Sequence, residues 1–228
     1  MSYKKIGIVV ADKDEFEPFI NSLDCPKNIT TPFKSAFEFM CGSASVTALL
    51  CGIGKVNAAT AAMYLIDSGC DFILNFGLSG GLKGIGRGEY ILPESFLEHD
   101  FDLTLLGYKP CEKPRQTYIY SAHKETIDKI VKAGIAVPGG TAVCGDRFIS
   151  SDIDREFLIK TFSANSCDME TAAIASVCSI TGIPFVSLRR ISDDASNNAT
   201  EVYRDIKKDD GIPLSDASYS CLKIICEA

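Results

Sequence analysis

Three acids and an arginine stand where apolar runs give way to polar sequence: Glu15 in "ADKDEFEPF", Glu170 in "CDMETAA", and Arg189 with Asp193 in "SLRRISDDAS". Carboxyl groups gathered at one site divide acid and base work between them once their surroundings push their proton affinities apart. An arginine among them adds a fixed positive charge. Each piece also has a structural reading. Acids at a helix start are stabilised by the helix dipole, and "RRISDD" taken alone reads as a solvated, salt-bridged loop. Ion pairs at the end of a buried strand are costly unless partners or a ligand meet them.

The elements that would position these groups alternate between strand and helix. Ile6–Ala11 reads as a strand, followed by helical spacing through Phe16, Phe19, Ile20 and Leu23. Phe37–Met40 and Val46–Cys51 read as short strands, and Val56, Ala59, Ala62, Met63 and Ile66 carry a 3.6 period. Between them, Gly52-Ile53-Gly54-Lys55 lacks the spacing of a phosphate-binding loop, and tight packing explains its glycines at least as well.

Phe72–Phe76 has the continuous apolar character of a central parallel strand. "GLSGGLKGIGRGEY" after it reads as a sharply turning backbone open to close approach by a ligand. Residues 107–117 read as a surface loop, 122–133 and 152–162 as helices, 136–144 as a glycine-interrupted strand, and 214–226 as a last helix. Ala172, Ala173, Ala175, Ser176 and Cys178 make a small-residue helix suited to close packing on a sheet.

This alternation predicts an α/β fold: one domain over residues 1–228, a three-layer sandwich with a mixed, mostly parallel central sheet between helices. Ligands in such folds sit at the carboxyl ends of strands, and the three acids, though far apart in sequence, can converge there.

Composition narrows the function. A formal charge of −7 without a Lys/Arg cluster argues against nucleic-acid partners and favours a small molecule. The first apolar run is too short for a signal sequence or membrane span, so a cytoplasmic location is expected. The ten cysteines are scattered without a C-x-x-C pair and only two histidines are present, which reads as reduced core thiols and no metal site. His99 reads as a structural, hydrogen-bonded residue.

Seven segments, "IGIVVADKDEFEPF", "CGIGKVNAATAAMYLID", "NFGLSGGL", "EHDFD", "GDRFIS", "DMETAAIASVC" and "RRISDDA", span about residues 5 to 200. In order and spacing they resemble the 5′-methylthioadenosine/S-adenosylhomocysteine nucleosidases of the nucleoside phosphorylase and hydrolase superfamily. The resemblance implies hydrolysis of an N-ribosidic bond to a free purine and a thiopentose, without metal or organic cofactor.

By that resemblance, Asp193 protonates N7 of the purine and Glu15 orients and deprotonates the attacking water. Glu170 holds the ribose hydroxyls, while Met169 and Phe148 wall the sugar and base. Ile53 and Gly80 line the pocket, the backbone at Ile149 reads the purine edge, and Arg189 sits near the water and the carboxylates. Leu103 and Leu106 match positions from which a partner subunit completes the 5′ pocket, so a homodimer is expected.

The chain departs from the family pattern at Leu78, which stands where a hydroxyl residue is common; Ser79 replaces it only if the turn is shifted. Asp193 presents a second tension, because neighbouring arginines lower a carboxyl's pKa and a proton donor needs it raised. Either one arginine points away, or Asp193 acts through a strong hydrogen bond. The competing readings are a purine nucleosidase or phosphorylase with another nucleoside, and a nucleoside-binding protein without turnover. The acidic "DKDEFE" stands where related phosphorylases carry a phosphate loop, which favours water as nucleophile.

Overall fold

The computed structural model describes residues 3–206 and 211–227. It opens with β1 (Lys5–Val10), α1 (Lys13–Asn21), β2 (Lys27–Asn28), β3 (Ser35–Cys41), β4 (Ala44–Leu50) and α2 (Lys55–Asp67). β5 (Phe72–Gly81), β6 (Tyr90–Leu92), β7 (Ser95–Glu98), β8 (Tyr120–Ser121), α3 (Lys124–Lys132), β9 (Val137–Pro138) and β10 (Thr141–Cys144) follow. α4 (Asp152–Phe162), β11 (Ser166–Asp168), α5 (Thr171–Thr181), β12 (Phe185–Asp193), α6 (Ala199–Ile206) and α7 (Gly211–Cys226) complete the order.

The described strands form one mixed sheet, with six of its eleven pairings parallel, so the parallel majority is narrow. β5 is its axis. One edge pairs with β12 in parallel. The other edge pairs with β1 up to Asn75, and with β11 only from Gly80. Residues 76–79 therefore present a strand edge without a strand partner on that side, and buried backbone groups there need another one.

Side-chain alternation along β5 separates its two faces. Phe72, Leu74, Phe76 and Leu78 join a core with Phe16 and Phe19 of α1 and Leu214 and Leu222 of α7. Ile73 joins the core beneath α2 and α5, with Leu65 and Ile174. Beyond it the Ile73 face continues as Asn75, Gly77 and Ser79, small or polar in turn. Each large apolar side chain so buried stabilises the fold by roughly 1.5–3 kcal/mol.

β12 repeats the pattern. Val186 and Leu188 face the α1/α7 core, while Ser187 and Arg189 lie opposite Asn75 and Gly77 of β5. The paired arginines thus point to opposite faces: Arg190 donates to the Tyr90 hydroxyl at 2.6 Å and lies over that ring.

Two expectations need correction. "GLSGG" is not a turn: it continues β5 as extended strand. Its glycines clear room for neighbouring side chains, since a Cβ at Gly81 would meet Ile191 at 2.8 Å. "RRISD" is not a solvated loop but the end of β12, five residues of which only Arg190 escapes full burial. Strand β7 and helix α6 were not foreseen from the sequence. All ten cysteines are free and eight are buried.

Candidate active site

Glu15 lies in the first turn of α1, behind the N-cap Asp12, whose side chain accepts the Asp14 N–H. The helix start turns Glu15 into the sheet, where it is buried, and its Oε1 accepts the Leu78 N–H at 2.8 Å. The unpartnered edge of β5 is thus met by a carboxylate. Burial pushes Glu15 up to about 8, against the opposing pull of Arg189 and the Leu78 N–H, with Glu170 and Asp12 raising it further.

Glu170 stands at the start of α5, held by Asp168. Asp168 Oδ1 accepts the N–H groups of Glu170 and Thr171 at 2.9 and 2.8 Å, and Oδ2 accepts the Thr171 hydroxyl. This capping role was missed in the sequence, although an acid just before a helix start is a cap signal. Glu170 Oε1 accepts the Gly54 N–H at 3.0 Å, and Oε2 is 3.8 Å from Arg189 Nη2. Gly52 and Gly54 have φ of +91° and +101°, a region that favours glycine. The glycine loop therefore orients a carboxylate rather than cradling a phosphate. Burial raises Glu170 to about 7, with Arg189 opposing and Asp168 adding.

Asp193 ends β12 where a bulge shifts its partner on β5 to Gly80. Its Oδ2 accepts the Ser192 hydroxyl at 2.7 Å and Oδ1 the Ala195 N–H at 2.9 Å. Burial raises its pKa, those two hydrogen bonds oppose the rise, and Asp194 adds to it. Neither arginine enters this balance, which removes the tension raised by their proximity in sequence.

Arg189 is buried and committed on three sides. Nε donates to Ser79 Oγ at 2.8 Å, Nη1 to Asn75 Oδ1 at 3.2 Å and Nη2 to the Leu78 carbonyl at 2.5 Å. Leu78 serves this site through its backbone, and the Ser79 hydroxyl lies on the cleft side of the strand.

These groups open onto one cleft of about 330 Å³, within the usual range for small-molecule sites. Of the residues expected from the sequence, Glu15, Ile53, Gly80, Phe148, Ile149, Met169, Glu170, Arg189 and Asp193 all line it. Leu103 and Leu106 do not: Leu103 precedes the turn Thr104–Leu106 and Leu106 ends it, 71% exposed. Ser79, which the sequence offered only as a conditional stand-in for the hydroxyl missing at Leu78, also lines the cleft, and Ser192, Cys167, Arg147 and Tyr203 line it without having been foreseen. The Tyr203 ring on α6 packs 5.3 Å from that of Phe148. Its signal in the sequence is the amphipathic stretch "ATEVYRDI", which follows the more conspicuous "RRISDD".

His99 does not line this cleft, and the hydrogen bond expected of it is missing at Nε2, which is buried without a partner among the described residues. No group of three or more metal-ligating side chains occurs among those residues, and no described helix is long and apolar enough to cross a membrane.

The family model of the phosphorylase superfamily matches residues 5–213. A 5′-methylthioadenosine/S-adenosylhomocysteine nucleosidase of Shewanella halifaxensis is 31% identical over 207 residues, 86% of this chain and 88% of that one. This chain belongs to that nucleosidase family within the phosphorylase superfamily. A crystal structure of a family member from Neisseria meningitidis, in complex with methylthio-immucillin-A, superposes with a TM-score of 0.89 at 28% identity, covering 99% of this chain and all of that one. The fold alone is also shared with a futalosine hydrolase mutant of Helicobacter pylori, at TM-score 0.88 and 22% identity over 98% of this chain and 99% of that one. Family membership thus rests on sequence, since the fold extends to an enzyme named for another nucleoside.

Proposed function

We propose that this protein hydrolyses the N-ribosidic bond of 5′-methylthioadenosine and S-adenosylhomocysteine, giving adenine and the thioribose product. The observation that carries the reading is that Glu15, Glu170 and Asp193, from three distant stretches of chain, line one cleft with their proton affinities raised by burial.

Asp193 is the proton donor. Its raised pKa favours the neutral carboxyl that can donate to N7 as the C1′–N9 bond breaks and its electrons flow into the purine. Positive charge then builds on the ribose, as in other oxocarbenium-like sugar hydrolyses. Water attacks C1′ and passes its proton to Glu15. In the empty cleft Glu15 prefers its neutral form near neutral pH. It acts as base only once it has given that proton to solvent, and cationic charge developing on the sugar favours the ionised carboxylate and is stabilised by it. Glu170, fixed by Gly54 and Asp168, accepts from the ribose diol. Phe148 and Tyr203 wall the purine, and the Ile149 backbone reads its edge.

Water is favoured over phosphate as nucleophile. Five acids line the cleft, Asp12, Glu15, Asp168, Glu170 and Asp193, against two arginines, and Arg189 is already bound on three sides. A phosphate dianion needs several free donors. In this reading Leu103 and Leu106 wall the 5′ pocket of a second copy, the protein acts as a homodimer in the cytoplasm, and its role is in methionine salvage.

The test is adenine release from 5′-methylthioadenosine in phosphate-free buffer, with steady turnover expected. Release only when phosphate is added makes the protein a phosphorylase. Tight binding without release makes it a nucleoside-binding protein. Either result overturns the assignment.

A further inference from the structure

We propose that Asn75 is a positioning residue: it holds the Arg189 guanidinium off Glu15, leaving that carboxylate free to take a proton from water. The inference rests on the hydrolytic reading above and extends it to a residue that does not line the cleft.

Asn75 is 1% exposed in the middle of β5, between its ladder partners Val9 on β1 and Ser187 on β12. Its Nδ2 donates to the Val9 carbonyl at 2.9 Å. Its Oδ1 accepts from the Ser187 hydroxyl at 2.7 Å and from Arg189 Nη1 at 3.2 Å. Arginine can only donate, so the amide oxygen must face it. The amide is therefore anchored to both neighbouring strands and presents one acceptor to Nη1.

The same nitrogen has a stronger acceptor nearby. Arg189 Nη1 and Glu15 Oε2 flank a single point above Gly77, at 2.8 and 3.0 Å from it. Among the described residues, however, the ion pair that Arg189 makes is with Glu170, at 3.8 Å, and none joins it to Glu15. A charge-assisted pair to a carboxylate is about twice as strong as a neutral hydrogen bond. An unrestrained guanidinium at this distance would close on Glu15. The Asn75, Ser79 and Leu78 acceptors tie down its three nitrogens, and Asn75 holds Nη1, the nitrogen that shares the point above Gly77 with Glu15 Oε2.

The charged and titratable groups facing Glu15 are Arg189 from β12, Glu170 from the start of α5, Asp12 from its own helix cap, and Cys51 after β4. Asn75 hydrogen-bonds only the first of these, so its removal acts on Glu15 through Arg189. An opposite charge moving closer stabilises the carboxylate, which makes it easier to ionise and a weaker base.

The experiment replaces Asn75 by Leu, which keeps the volume and removes the acceptor. Asn75→Ser, whose hydroxyl lacks the reach, is the second variant should the first fail to fold. The midpoint of Glu15 is read without turnover, from the carboxyl infrared band lost on adding Glu15→Gln to each background. It is expected to fall by about one pH unit or more. With 5′-methylthioadenosine, and above about pH 8 where Glu15 is ionised in both proteins, kcat is expected to fall about tenfold or more with little change in KM, because the carboxylate is then the weaker base. In an Arg189→Gln background the Asn75 substitution should no longer move the midpoint.

A lowered melting temperature with the Glu15 midpoint unmoved would make Asn75 a purely structural residue and overturn the proposal. So would a midpoint that still moves without Arg189. Failure of the nucleosidase reading is separately visible: wild-type protein would release no adenine, while the infrared midpoint still reports on Asn75.

Discussion

The Glu15 carboxylate and the Arg189 guanidinium flank one empty point above Gly77, where a side chain would meet Nη1 at 2.8 Å and Oε2 at 3.0 Å. Both charged groups depend on that residue having no Cβ. Gly77→Ala forces them to move while leaving the apolar faces of β5 untouched. The fold is expected to survive and kcat to drop by about 10²-fold, the cost of an ångström-scale misplacement. Turnover of the purified variant on 5′-methylthioadenosine checks this, and a rate within about a factor of two of wild type contradicts it.

Asp193 carries the leaving-group step. Asp193→Asn keeps the shape and the acceptor facing the Ala195 N–H but removes the acidic proton. Its kcat is expected to fall by at least about 10²-fold, the low end for general acid catalysis, with substrate still bound. Single-turnover adenine release set beside equilibrium binding separates the two effects. Undiminished chemistry would remove Asp193 from its role.

Burial of Glu15 carries a stability cost with a definite pH dependence. Its folded pKa of about 8 lies above the ordinary 4.5, so between those values the folded protein holds a proton that the unfolded chain has released. Stability therefore falls as pH rises through that window and levels off above it. Glu15→Gln cannot ionise and still accepts the Leu78 N–H. Its melting temperature is expected to match wild type at the acid end and exceed it above the window, reflecting a stability gain of at least about 1 kcal/mol, one pKa unit's worth. Glu170, raised to about 7, keeps its own smaller slope in both proteins. Parallel melting curves across the whole range would show that Glu15 ionises as freely folded as unfolded.

The sequence made the layers legible wherever period and burial agree. The helix at 152–162 and the strands around 37–40 and 46–51 were read nearly to their ends, because their apolar spacing has no competing explanation. It was least legible along β5 and β12. There, glycine and arginine signal turns and solvent by local propensity, yet the long-range pairing of Gly77 with Arg189 makes each residue permissible beside the other. The acids and cleft walls were readable through the resemblance. Asn75, Asp168 and Tyr203 were not, since their significance lies in hydrogen bonds and ring contacts between elements distant in sequence.

The last prediction concerns the turn that carries Leu103 and Leu106 away from their own cleft. Leu105 is fully exposed and Leu106 is 71% exposed, an apolar tip that water solvates poorly and a second copy would cover. Burying one such leucine is worth roughly 1.5–3 kcal/mol, and replacing it with a carboxylate forfeits that and adds a desolvation cost. Wild-type protein is therefore expected to sediment as a dimer, and Leu106→Asp to weaken dimerisation by at least about tenfold, with the dissociation constant read by ultracentrifugation. Because the same leucine is assigned to the partner's 5′ pocket, KM for 5′-methylthioadenosine should rise in step with monomer fraction while the Glu15 and Asp193 chemistry persists. A monomeric wild type with full activity would mean that each copy completes its own cleft.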